Sequence, residues 1–202
     1  MLNEDFEEFL ANLKIKFNFT EDEYVFLKKN LEKIKLSPGE KLYEIDQIPS
    51  GIVFIKTGEM RLVGINDKKE IFTLEKFKPN QIAGAIPLIQ GIKSFQLTAS
   101  TEIVGLFLDA EKFMELTLNL KFYRHFNLAT RAEYYSILTS NNSPSNLTFK
   151  ETLAWINEEL KSKTKVLTLS PGKHNLKPAK NSWLISSNNF KNKNIGEEIL
   201  QN

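Results

Sequence analysis

Between Leu36 and Leu108 the chain breaks direction so often that only short strands fit between the breaks. LSPGEKLYEI, GIVFIKT, EMRLVGI, EIFTLEKF, FQLTAS and EIVGLFL are runs with a period of two, rich in β-branched and aromatic residues. Turn chemistry separates them at Pro38-Gly39, Pro49-Ser50-Gly51, Thr57-Gly58-Glu59, Asn66-Asp67 and Pro79-Asn80. Six of the nine glycines fall between 39 and 91. Many short strands at this spacing predict a small barrel or jelly roll.

Helical patterns flank this region. Residues 3–15 place Phe6, Phe9, Leu10 and Leu13 on one face. Thr20 and Glu23 have the spacing of a capping box. A second helix is expected to run from there to about Ile34, with Tyr24, Leu27, Leu31 and Ile34 inward. Asp109 is placed to cap a third helix, DAEKFMELTLNL, and a fourth is expected over about 122–138. SNNSPSNL at 140–147 reads as a linker. Beyond it, Thr148 and Glu151 predict another capped helix through about Leu160, followed by the strand-like KVLTL and SWLIS. The expected architecture is α+β: an antiparallel, jelly-roll-like β-roll over 1–140 with helices before and after it. A small helix-plus-strand appendage follows over 148–202, as the start of a further unit.

Composition bounds the function. At 202 residues and 41% apolar, the chain can build a core. Without cysteine it has neither a disulfide framework nor a thiolate metal site, which fits a reducing compartment. No apolar run approaches the ~18–20 residues of a membrane span, and the acidic start, MLNEDFEEFLANLK, is unlike a signal peptide. A cytoplasmic location is expected, including the cytoplasmic side of a membrane protein. The net charge of +2 comes with scattered lysines and no basic tract.

Catalytic patterns are wanting. The two histidines, His125 and His174, are far apart, so the clustered ligands of a metal-dependent cupin are missing. No nucleophile elbow or phosphate-binding Gly-rich loop occurs. His125 lies on an apolar-faced segment and reads as a packing or surface residue.

One stretch points to a ligand. KPNQIAGAIPLIQGIKSFQLTASTEIVGLFL (78–108) sets a turn at Pro79-Asn80, then Gly84 in an apolar run, a short helix over 86–90, Lys93, and two strands. This order resembles the phosphate-binding cassette of the cyclic nucleotide-binding domain family. LSPGEKLYEIDQIPSGIVFIKTGEMRLV (36–63) is similar to the first half of that family's roll, with a turn at Asp46-Gln47 and a tight bend at Gly58. The resemblance covers roughly 20–140. In the family, a glutamate after the glycine holds the ribose 2′-hydroxyl, and an arginine clamps the cyclic phosphate. Here Ala85 and Lys93 stand at those places.

The resemblance implies a binding site at Gly84, Ala85, Ile86, Lys93 and Ser94. Lys93 would hold an anion, the amides of Ala85 and Ile86 would donate, and Ser94 would assist. Lysine offers a point charge rather than arginine's fork. Loss of a charged hydrogen bond, about 1.5–3 kcal/mol, lowers affinity by one to two orders of magnitude. Pro87 removes one donor from the same place.

The expected function is therefore a non-catalytic regulatory or sensory module with weak or lost cyclic nucleotide binding. No cofactor is expected beyond a cyclic nucleotide or another small anion. The family's long helix often pairs with a second subunit, so 122–138 is the expected dimer seam. Similar degenerate domains precede the transport domains of some bacterial ABC exporters, which makes such membrane domains expected partners. Two alternatives stay open. A DNA-binding regulator of the same family would need a helix-turn-helix that the sequence after 147 does not offer. A ligand-free interaction module would have its cleft plugged, with Phe95 as the candidate plug.

Overall fold

The computed structural model describes residues 4–45, 47, 49–65, 69, 71–90, 95–126, 169, 172–174, 183–185, 190–192 and 198–199. The chain divides into two compact units, Met1–Phe126 and Asn127–Asn202.

The first unit begins with two helices, α1 (Glu4–Phe17) and α2 (Glu21–Asn30). Phe6, Phe9, Leu10 and Leu13 are buried on one side of α1, as the helical spacing requires. The capping box forms: Glu23 N–H donates to Thr20 Oγ1 at 3.2 Å, and Thr20 N–H donates to Glu23 Oε2 at 2.8 Å. The expected second helix ends earlier than its sequence pattern. Leu31 is extended, at φ −78° and ψ 137°, and Ile34 lies in β1 (Glu32–Leu36). The ladder that β1 makes with a strand more than sixty residues later competes with the helical spacing of Leu27, Leu31 and Ile34, and it wins.

Seven further strands follow: β2 (Lys41–Tyr43), β3 (Gly51–Thr57), β4 (Met60–Ile65), β5 (Ile71–Phe77), β6 (Ile82–Ala83), β7 (Phe95–Ala99) and β8 (Ile103–Asp109). They form two four-stranded antiparallel sheets, ordered β1-β8-β3-β6 and β2-β7-β4-β5. The architecture is the expected antiparallel roll of two open sheets, with no closed barrel.

Between β6 and β7 lies α3 (Ala85–Gln90), and after β8 come α4 (Ala110–Leu120) and a 3₁₀ turn (Phe122–His125). Asp109 caps α4 as expected, accepting from Glu111 N–H at 2.7 Å. Where the fourth helix is expected, the described residues form that 3₁₀ turn; the positions 127–140 assigned to this unit from sequence lie outside the described residues.

Burial follows strand alternation. Ile52 and Phe54 of β3, with Leu106 and Leu108 of β8, join one apolar cluster with α1, α2, α3, α4 and Phe122. Val53 and Ile55 point the other way, toward the second sheet, and are also fully buried. The first sheet thus has helices on one face and its partner sheet on the other. Gly58 makes the bend its sequence position implies: at φ +89°, an added Cβ would sit 2.1 Å from the Glu102 carbonyl oxygen.

In the second unit, β9 (Trp183–Leu184) pairs antiparallel with β10 (Glu198–Ile199), and Ile185 is buried. The expected helix from Thr148 lies outside the described residues.

Candidate functional site

The turn at Pro79-Asn80 is fastened to β3. Asn80 N–H donates to the Ile55 carbonyl at 2.7 Å, and Ile55 N–H donates to the Gln81 carbonyl at 3.0 Å. From there β6 runs antiparallel to β3, with Val53 opposite Ala83, and delivers the chain to Gly84. Gly84 has φ +89°, the left-handed region that a side chain disfavours. α3 begins at the next residue.

The surroundings of Gly84 are close. An added Cβ would meet the Gly51 carbonyl oxygen at 3.1 Å, Leu97 Cδ2 at 3.3 Å and Tyr43 Cε1 at 3.6 Å. Gly51 belongs to the first sheet, while Tyr43 and Leu97 face each other across β2 and β7 of the second. The turn therefore sits where the two sheets approach. The β2–β3 connection is closed nearby by Ser50 Oγ, which donates to the Leu42 carbonyl at 3.1 Å.

Three of the five residues expected from sequence, Gly84, Ala85 and Ile86, form the turn and the first residues of α3. Lys93 and Ser94 lie outside the described residues. Ala85 is 2% exposed and packs in the helical-side cluster with Ile82 and Leu88. The position at which the family's pattern carries a carboxylate is thus embedded in apolar side chains. Pro87 lies in the first turn of α3 and is buried.

Phe95, the candidate plug, is committed elsewhere. It pairs with Gly64 across β7 and β4, and its ring fills the space over that glycine together with Phe72. Tyr43 and Leu97 are the side chains that press on Gly84 from within the roll.

Sequence reasoning did not single out Tyr43. It is 3% exposed, and its hydroxyl has no hydrogen-bond partner among the described residues. Burial pushes its phenol above the ordinary tyrosine range, so it is a neutral donor at physiological pH. An aromatic residue in an alternating strand reads as core, and no local signal reveals that its oxygen lacks a partner.

Among the described residues, no group of three His, Cys, Asp or Glu side chains could hold a metal ion. No described helix is long and apolar enough to cross a membrane.

Comparisons with known proteins bear on this arrangement. Residues 33–119 match the family model described as the cyclic nucleotide-binding domain. No curated protein matches the chain significantly. Among solved structures, the regulatory subunit of a cAMP-independent protein kinase A from Trypanosoma cruzi, bound to guanosine, is similar with a TM-score of 0.52 and 19% identity, covering 60% of this chain and 43% of that one. Its Trypanosoma brucei counterpart gives a TM-score of 0.51 and 18% identity, covering 59% and 44%. The regulatory domain of Toxoplasma gondii protein kinase A with cAMP gives a TM-score of 0.54 and 12% identity, covering 68% and 54%. The chain spans about half the length of these structures. At such identities the likeness shows the fold.

Proposed function

We propose, for a chain whose residues 33–119 form a domain of the cyclic nucleotide-binding family, a non-catalytic regulatory or sensory role in which cyclic nucleotides are held weakly or not at all. A small anion at the Gly84 turn, beside the backbone of Ala85 and Ile86 and with Lys93 and Ser94 as the partners that the sequence resemblance implies, would shift the flanking helices by binding one arrangement better than another. The observation that carries the reading is the burial of Ala85 in the apolar cluster. A ribose 2′-hydroxyl placed there finds no charged acceptor, and the polar group it brings in goes unpaired. Titration calorimetry of the purified chain with cyclic AMP is expected to show no binding at micromolar concentrations. A dissociation constant in the micromolar range or below overturns the reading.

A second reading is a ligand-free interaction module whose cleft is filled from within. The contacts of Tyr43 and Leu97 with Gly84 favour it over the Phe95 version. The two readings part in a thermal-shift screen: a ligand at a hundred times its dissociation constant adds about 2.7 kcal/mol, whereas a filled cleft answers no anion.

The wider setting is carried on the sequence resemblance alone. We place the chain on the cytoplasmic side of a bacterial ABC exporter, with 122–138 as a seam between two copies. The coding sequence adjoining this segment tests the first assignment, and sedimentation of the purified chain tests the second. The DNA-binding alternative would be supported by a low-salt gel shift and removed by its absence.

A further inference from the structure

His125, the one histidine of the first unit, stands two residues before the second unit begins. Its side chain is 9% exposed, and its Nε2 lies 3.3 Å from Oε1 of the wholly buried Glu23. Glu23 Oε2 is committed to the Thr20 amide of the capping box, which fixes how the carboxylate is turned. The rings of Phe17, Phe19 and Phe122 pack against the imidazole and limit its access to water. The elements around it carry further charges. On α1, Lys14 pairs with Glu21, and Lys16 lies beyond the Phe17 ring, 5.6 Å from its centroid, donating to the Asn80 carbonyl at 2.8 Å. Lys121 follows α4. Lys16 and Lys121 face solvent, which screens them, whereas the Glu23 carboxylate meets the imidazole inside the fold.

We propose that Glu23 and His125 form a proton-operated clasp, which fastens the 3₁₀ turn at the end of the first unit to the start of α2 when the imidazole is charged and loosens when it is neutral. At 3.3 Å the contact is long for an N–H···O hydrogen bond, so it has room to tighten. A proton added at Nδ1 makes the ring an imidazolium, and its bond to the carboxylate becomes shorter and stronger. Burial of the ring opposes that proton, and the carboxylate favours it. An opposite charge this close, in a place with little water, is the larger influence. The folded histidine therefore keeps its proton to a higher pH than the unfolded one, whose ordinary value is about 6.5. The added stability is complete below that value and is lost as pH rises through the folded one. Histidine changes charge in the physiological range, so mild acidification closes the clasp. The device needs no ligand at the Gly84 turn.

Proton NMR of the full chain tests this, because its two histidines can be followed separately and His174 is exposed. His174→Gln assigns the signals. His125 is expected to titrate about 1 pH unit above His174, and the amide signals of Phe19, Glu23 and Phe122 to follow its midpoint. Glu23→Gln keeps a side chain that can close the capping box but removes the charge, and it is expected to bring the His125 midpoint to that of His174 or lower. A His125 midpoint at or below that of His174 in the parent overturns the proposal, as does a midpoint that Glu23→Gln leaves in place. Amides that stay still through the titration overturn the clasp. Urea denaturation at about pH 5.5 and about pH 8 gives an independent arm. The parent is expected to lose stability toward the higher pH, and His125→Gln to lose less. An equal loss in both overturns the proposal, even if Glu23→Gln fails to fold.

Discussion

His125 Nε2 lies 3.3 Å from Glu23 Oε1, although 102 residues separate them in the chain. Glu23 is fully buried, and its other oxygen already closes the α2 capping box with Thr20. The His125 ring meets Phe122 at 4.8 Å, Phe19 at 5.3 Å and Phe17 at 6.5 Å, each edge-on. One carboxylate therefore starts a helix near the N-terminus and also ties down the segment that leaves the roll.

That double use separates two substitutions. Thr20→Ala removes the cap alone and is expected to cost about 1 kcal/mol. Glu23→Ala removes the reciprocal bond together with the 3.3 Å contact to His125, for roughly 2–3 kcal/mol. Urea denaturation of the two variants measures the difference. Equal costs would mean that the His125 contact contributes nothing.

Two glycines with similar positive φ should respond very differently to alanine. Gly39 has φ +84° and nothing within 4 Å of an added Cβ, so Gly39→Ala pays only the left-handed penalty, about 1–2 kcal/mol. At Gly58 the same methyl would lie 2.1 Å from a backbone oxygen, and Gly58→Ala is expected to cost roughly 3 kcal/mol or more. Thermal melts rank the pair.

The buried Tyr43 phenol gives stability an alkaline limit. Its pKa is raised from an unfolded value of 10.0, so below that pH both states hold the proton and its contribution is intact. Above it the unfolded chain ionises first, and stability falls by up to about 1.4 kcal/mol per pH unit. Denaturation measured at pH 9 and at pH 11 should show the decline, with a shallower one in Tyr43→Phe. An identical slope in the variant would place the effect on other groups.

Phe122 and Leu118 are four residues apart and should be energetically unlike. Phe122 is fully buried against Phe19 and Phe113, with ring centroids 5.4 and 6.2 Å away. Phe122→Ala is expected to cost about 3–5 kcal/mol. Leu118 is 74% exposed, and Leu118→Ala should stay within about 0.5 kcal/mol. Chemical denaturation compares them directly.

Much of this arrangement was legible in the residues. Thr20-Glu23 and Asp109 announced helix starts because caps are local chemistry, and both form. Six strand runs were readable because alternation and turn residues agree over short distances. β1 was not, since Leu27, Leu31 and Ile34 suit a helix by spacing, and only pairing with β8 turns Ile34 into strand. β6, at two residues, is too short to show a period. The bend at Gly84 was readable from a glycine that follows a turn in an apolar run. The unpartnered Tyr43 hydroxyl was not, because it depends on what the fold packs around the ring rather than on any local pattern.

β3 is a wall one residue thick between two rooms. Its Ile52 and Phe54 furnish the helical side, Val53 and Ile55 the inner side, and the carbonyl of Gly51 at its start rests near Gly84. A larger side chain at Gly84 would meet that wall's end, and close-packed masonry does not yield on one side only. The helices behind it and Ala85, the residue after Gly84, pack in one cluster.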